Sequence, residues 1–131
     1  MTPSEYQNPI LCADYSDPDI VRVGDDFFMV SSSFNHVPAL PILHSTDLVN
    51  WTIINHVMDE LPLPGYDRYQ PGKGVWAPSI RWHDGKLWVC FSTPDEGIFI
   101  CHTEDPWGEW SAPHCLREAR GWIDPCPFWD D

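Results

Sequence analysis

Apolar side chains recur at every second position in short runs along the chain, and Gly, Asp, Asn and Pro break the runs apart. That two-residue period predicts short, half-buried strands rather than helices. The first set reads "DIVRV" from Asp19, a turn through Gly24-Asp25-Asp26, "FFMVSSS" from Phe27, "LPILHST" from Leu40 and "WTIINHV" from Trp51. The second reads "SIRWH" from Ser79, a turn at Asp84-Gly85, "KLWVCFS" from Lys86, "GIFICHT" from Gly97 and "WSAPHCL" from Trp110. Asp-Gly between alternating apolar runs is a strong hairpin signal.

The two sets superpose. Asp17-Pro18 falls on Ala77-Pro78, Ile20 on Ile80 and Phe28 on Trp88, an offset of about 60 residues. In an independent stretch His44 meets His102, Asp47 meets Asp105 and Trp51 meets Trp110 at nearly the same offset. A third copy opens at "DPCPFWDD", with Asp124-Pro125 in the place of the earlier pairs and Asp131 where Gly24 and Asp84 open their turns. Four antiparallel strands per unit, repeated, predict an all-β, β-propeller architecture of which residues 1–131 supply about two blades and the first strand of a third. The first blade is placed at about 14–60, the second at about 75–118 and the start of the third at about 121–131. A β-sandwich is the rival all-β reading, but it requires no such repeat. Each blade needs neighbours, so the expected partners include further C-terminal blades of the same polypeptide; assembly of several copies into a ring is the alternative.

Composition narrows the partners. Twenty acidic residues against 7 basic give a formal net charge of −13, which repels phosphate backbones and anionic lipid and argues against nucleic-acid and membrane partners. Among 8 Trp, 6 Phe and 4 Tyr some belong to the core, and eight Trp in so short a chain also suit a sugar ligand, whose apolar C–H face stacks on an indole. The five cysteines contain no CxxC spacing and read as reduced, mostly buried thiols. "MTPSEYQNPI" lacks the basic and apolar regions of a signal peptide, so a cytoplasmic location is expected. The adjacent pairs Cys101-His102 and His114-Cys115 lack chelating spacing, and no metal site is expected. Between the units, "GYDRYQPGKG" from Gly65 to Gly74 either overhangs the central funnel or serves as a solvated connection.

The inner strand of each propeller blade lines the central channel, so the residue before each proline (Asp17, Ala77 and Asp124) is projected toward one funnel, with Trp76 beside the second. Two carboxylates and an aromatic platform on one axis suit glycoside hydrolysis, in which one carboxylate deprotonates water and another group protonates the leaving oxygen. An Asp-Pro step is also a common turn dipeptide whose carboxylate bonds nearby backbone N–H groups.

At these residues the chain resembles a known family. "NPILCADYSDPDIVRVGDDFFMVSSSF", "HSTDLVNW", "GVWAPSIRWHDGKLWVCFS" and "GWIDPCPFWDD" resemble the N-terminal part of glycoside hydrolase family 43, β-xylosidases and α-L-arabinofuranosidases on a five-bladed propeller. The resemblance implies that Asp17 is the general base of an inverting mechanism and that Asp124 raises the pKa of the acid and orients it. It implies that Trp76 walls the sugar subsite, with Ala77 and Ile123 as apolar neighbours, and that Phe34 and His36 reach the same pocket. The implied substrate is a xylo- or arabino-oligosaccharide, and no cofactor is required. The family's acid is a glutamate beyond the second aspartate, and none of Glu5, Glu60, Glu96, Glu104, Glu109 and Glu118 follows Asp124; the 131 residues alone are therefore expected to be close to inactive. A non-catalytic carbohydrate-binding or structural propeller is the alternative.

Overall fold

Strand formation follows the two-residue period closely. In the computed structural model, which describes residues 5–130, the strands are β1 (Asp19–Val23), β2 (Asp26–Val30), β3 (Ala39–Ser45), β4 (Thr52–Met58), β5 (Trp76–His83), β6 (Lys86–Thr93), β7 (Gly97–Thr103) and β8 (His114–Glu118). They form two four-stranded antiparallel sheets, β1-β2-β3-β4 and β5-β6-β7-β8, each in sequence order. The turn position expected of Asp131 and the stretch Met1–Ser4 lie outside the described residues.

Local chemistry explains most boundaries. Asp84 and Gly85 link β5 to β6 with φ of 48° and 74°, the left-handed pair that a tight hairpin between right-twisted strands demands. The repeated "HSTD" and "HTED" stretches are turn-makers. Asp47 accepts bonds from the backbone N–H of Asn50 (2.7 Å), the Asn50 side-chain amide (2.6 Å) and the backbone N–H of Val49 (2.9 Å), and these hold its carboxyl well below the usual carboxylate range. Asp105 does the equivalent for the N–H of Trp107 at 3.0 Å. Strand β8 starts later than the sequence pattern suggests: Ser111 still bonds the His102 carbonyl at 2.9 Å, but Pro113 has no N–H to offer and the ladder resumes only at His114.

The two sheets face each other across one core. Ile42 and Val30 from the first meet Ile80, Leu87, Val89 and Phe91 from the second, all essentially without solvent contact. Sheet meets sheet most extensively along β1 and β5, so the first strand of each unit lies innermost, as a propeller requires. Asp19 of β1 accepts the backbone N–H of Ile80 at 2.8 Å and the guanidinium of Arg81 at 2.5 Å. At the far edge, Asn55 of β4 donates to the carbonyls of Pro106 and Gly108.

Residues 121–130, expected to open a third unit, form no ladder. They lie on the open face of the second sheet instead of along an edge. Ser79 donates to the Pro125 carbonyl (2.7 Å), Arg81 reaches the Cys126 sulfur (2.9 Å), and Trp129 stacks on His83 with ring centroids 4.3 Å apart. A strand pairs only at a free backbone edge, and a segment docked face-on meets none.

The cysteine expectation needs correction. All five are free thiols, but only Cys90 and Cys101 are buried, while Cys12, Cys115 and Cys126 are exposed. Burial pushes the Cys90 thiol up to about 11 and the Cys101 thiol up to about 12. A thiol-specific chromogenic reagent at neutral pH should therefore modify Cys12, Cys115 and Cys126 within minutes, and Cys90 and Cys101 only after denaturant is added.

Candidate active site

The three positions before the prolines share one unusual backbone state. Asp17, Ala77 and Asp124 have φ of 48°, 30° and 55°, in the left-handed region that costs a non-glycine residue roughly 1–3 kcal/mol. For Asp17 and Ala77 the pairing register shows the cause. Trp76 pairs with Ser92 and Ser79 with Cys90, so three steps on β5 oppose two on β6. In the first unit, Ser32 donates its N–H to the Ser16 carbonyl at 3.0 Å while Asp19 pairs with Val30, which repeats the same count. Each inner strand thus enters its sheet through a β-bulge at the X-Pro step, where proline's missing N–H does no harm. A bulge of this kind re-aims the side chain of the extra residue, and that residue is Asp17 in one unit and Ala77 in the next.

Asp17 is exposed but tethered. Its Oδ2 accepts the Ser32 hydroxyl at 2.8 Å, and the Ser32 oxygen accepts the backbone N–H of Ala77 at 2.9 Å. One buried serine therefore connects the first carboxylate to the inner strand of the second unit. Ser92 holds the equivalent place in the second unit, but Ala77 offers it no carboxylate. Among the described residues the buried Ser92 hydroxyl has no partner. Removing Ser32's hydroxyl should strand the Ala77 N–H and loosen Asp17. Ser32→Ala is expected to lower unfolding free energy by about 1–3 kcal/mol, as measured by urea denaturation.

The remaining candidates sit around this line. Ala77 is half-buried at the bulge, and Asp124 and Ile123 are exposed at the equivalent place of the docked third segment. Trp76, the first residue of β5, is partly exposed, and its indole Nε1–H donates to the Gly72 carbonyl at 3.0 Å. Phe34 and His36 line a cavity of about 260 Å³ between the loop after β2 and the inter-sheet connection, faced by Tyr66, Tyr69 and Lys73. Asp17, Trp76, Ala77 and Asp124 do not line it. The structure thus joins Asp17 to Ala77 through the Ser32 hydroxyl, seats Asp124 on the open face of the second sheet, and sets His36 on the cavity wall, near His56. Burial first, and the nearby His36 second, hold the His56 pKa below its ordinary value.

Sequence reasoning missed Ser32. The three serines at Ser31–Ser33 look alike as a polar strand end, and all are buried. The available signal was the repeat itself, which places Ser32 on Ser92 opposite the bulge in both units.

Two four-stranded antiparallel sheets packed face to face, each entered through a bulged inner strand, are the blades of a β-propeller. Residues 6–131 match the family described as Glycosyl hydrolases family 43, and the chain belongs to that family. It is 41% identical over 127 residues to a putative beta-xylosidase of Xylanibacter ruminicola, covering 96% of this chain and 23% of that protein. It is 38% identical to the non-reducing end alpha-L-arabinofuranosidase BoGH43B of Bacteroides ovatus, covering 92% of this chain and 23% of the relative. The crystal structure of the GH43 BlXynB protein from Bacillus licheniformis superposes with a TM-score of 0.83 at 32% identity, over 95% of this chain and 27% of that one. The chain spans under a quarter of the length of these two curated relatives.

Proposed function

We propose that the complete polypeptide hydrolyses O-glycosidic bonds in xylan- or arabinan-derived oligosaccharides by a single displacement that inverts the anomeric centre. The observation that carries this reading is the Asp17–Ser32–Ala77 relay: a solvent-accessible carboxylate, fixed by a buried hydroxyl and re-aimed by a bulge, tied to the strand that opens with the partly exposed Trp76. Family membership and relatives named for xylosidase and arabinofuranosidase activity support it.

In this scheme the sugar stacks on Trp76. Asp17 takes a proton from water, whose oxygen attacks the anomeric carbon from the face opposite the leaving group, and a carboxylic acid gives its proton to the departing oxygen. Asp124 keeps that acid protonated, because a neighbouring negative charge disfavours a second ionisation. No glutamate of this chain is assigned as the acid; Glu96 is already engaged by the Tyr66 hydroxyl at 3.1 Å and Glu104 lies 3.5 Å from the Lys86 ammonium. No cofactor enters.

Assay of the complete polypeptide on aryl β-D-xylopyranoside and aryl α-L-arabinofuranoside tests the reading. Release of the phenol from either supports it and sets the sugar preference. Sugar binding without turnover of either would leave a carbohydrate-binding propeller instead.

A further inference from the structure

The inter-sheet connection holds the sugar platform through one residue, Gly72, whose N–H and carbonyl lie in the two peptide units on either side of its Cα. The backbone N–H of Gly72 donates to the side-chain oxygen Oδ1 of Asn35 at 2.6 Å, and the carbonyl of the same residue accepts the Trp76 indole N–H at 3.0 Å. Asn35 lies in the loop after β2, in the first unit, whereas Trp76 opens the second. Gly72 has φ of +70° with open space where a side chain would be, so contacts rather than packing fix its orientation.

The flanking chain is held as well, but elsewhere. Ser33 and Val75 exchange backbone bonds at 2.9 and 3.0 Å, Lys73 pairs with Asp95 at 2.6 Å, and Gln70 reaches the Gly65 carbonyl at 2.5 Å. None of these bonds is made by Gly72 itself, although the Lys73 N–H, in the peptide unit that carries the Gly72 carbonyl, donates to the Gln70 carbonyl at 3.1 Å. Among the described residues, the side chains that meet Gly72's own N–H and carbonyl are those of Asn35 and Trp76.

We propose that Asn35 is a positioning residue that orients Trp76 through Gly72 and thereby sets how tightly the sugar is held. The inference rests on the proposed function for its kinetic readout. A side-chain acceptor is what the geometry needs at this position, because the group it meets is an N–H. Aspartate satisfies that need and alanine does not. Without the acceptor, the Pro71–Gly72 peptide unit loses its tether to the first unit, and the carbonyl that meets the indole is left to the Lys73–Gln70 backbone bond alone. The chemistry at Asp17 is untouched, so the effect falls on KM rather than kcat.

The test is a double-mutant cycle in the complete polypeptide with the better aryl glycoside. Asn35→Ala should raise KM about fivefold to tenfold, the scale of one weakened aromatic contact, with kcat within twofold, and Asn35→Asp should restore KM. In the Trp76→Phe background, which lacks the indole N–H, Asn35→Ala should change KM by less than about twofold. Fully additive effects, an unchanged KM in Asn35→Ala, or failure of Asn35→Asp to rescue would overturn the proposal.

A second readout does not depend on activity. The Trp76 indole N–H resonance, identified by its disappearance in Trp76→Phe, should exchange with solvent markedly faster in Asn35→Ala and at the wild-type rate in Asn35→Asp. Equal exchange in all three would sink the relay. Faster exchange in a protein that turns over no glycoside would sink the proposed function and leave the relay standing.

Discussion

Asp17→Asn in the complete polypeptide is expected to lower kcat by about 10²–10⁴-fold, the usual contribution of a positioned general base, while oligosaccharide affinity stays within a few fold. The substitution is close to silent for the fold. Asparagine's carbonyl oxygen still accepts the Ser32 hydroxyl that now meets Oδ2 at 2.8 Å, and asparagine tolerates the left-handed φ of 48° as well as aspartate does. What disappears is the ability to take a proton from water. Steady-state kinetics with titration calorimetry on the same variant separates the two effects. A rate near that of the unsubstituted protein would remove Asp17 as the base, and loss of binding would make it a sugar-holding group instead.

Gly74→Ala should be the most damaging small substitution for the site's architecture. Gly74 has φ of +130°, and a methyl group there would sit 2.5 Å from the Ser33 carbonyl oxygen and 2.8 Å from that of Phe34. Both obstacles are backbone, so relief requires the loop after β2 to part from the inter-sheet connection. Those two segments carry Phe34, Asn35, Gly72 and the approach to Trp76. A disfavoured backbone state and a backbone clash together are expected to cost on the order of 2–4 kcal/mol. Thermal denaturation should show a lower midpoint, and turnover should fall with it. An unchanged midpoint would mean that the two segments separate freely and do not hold the platform.

Much of the fold was legible because its determinants are local. Alternation of the kind seen in "KLWVCFS" and the Asp84-Gly85 turn need only neighbouring residues to act, and the repeat made each unit a check on the other. The equivalence of Asp17, Ala77 and Asp124 was legible for the same reason, since proline marks the position three times. Their left-handed backbone was not. Proline normally pushes the residue before it toward extended conformations, and only the cross-strand count of three against two reveals the bulge that overrides this preference. Ser32 was hidden among like neighbours, and the Asn35–Gly72 bond joins residues in different units, so no local pattern announces it. The exposure of Cys126 was hidden too, because the segment docks on a sheet face through Pro125 and Trp129, and alternation alone does not say which of its side chains that docking covers.

The stereochemistry of the first product tests the account most directly. With the complete polypeptide and a β-1,4-linked xylobiose, proton NMR of the anomeric region distinguishes the sugar released at the catalytic centre before mutarotation mixes the forms. Water activated by Asp17 and attacking opposite the leaving group should yield α-xylose from the non-reducing residue. Early appearance of β-xylose from that residue would contradict a single displacement, and the absence of any reaction, with arabinofuranosides equally inert, would contradict the glycosidase itself.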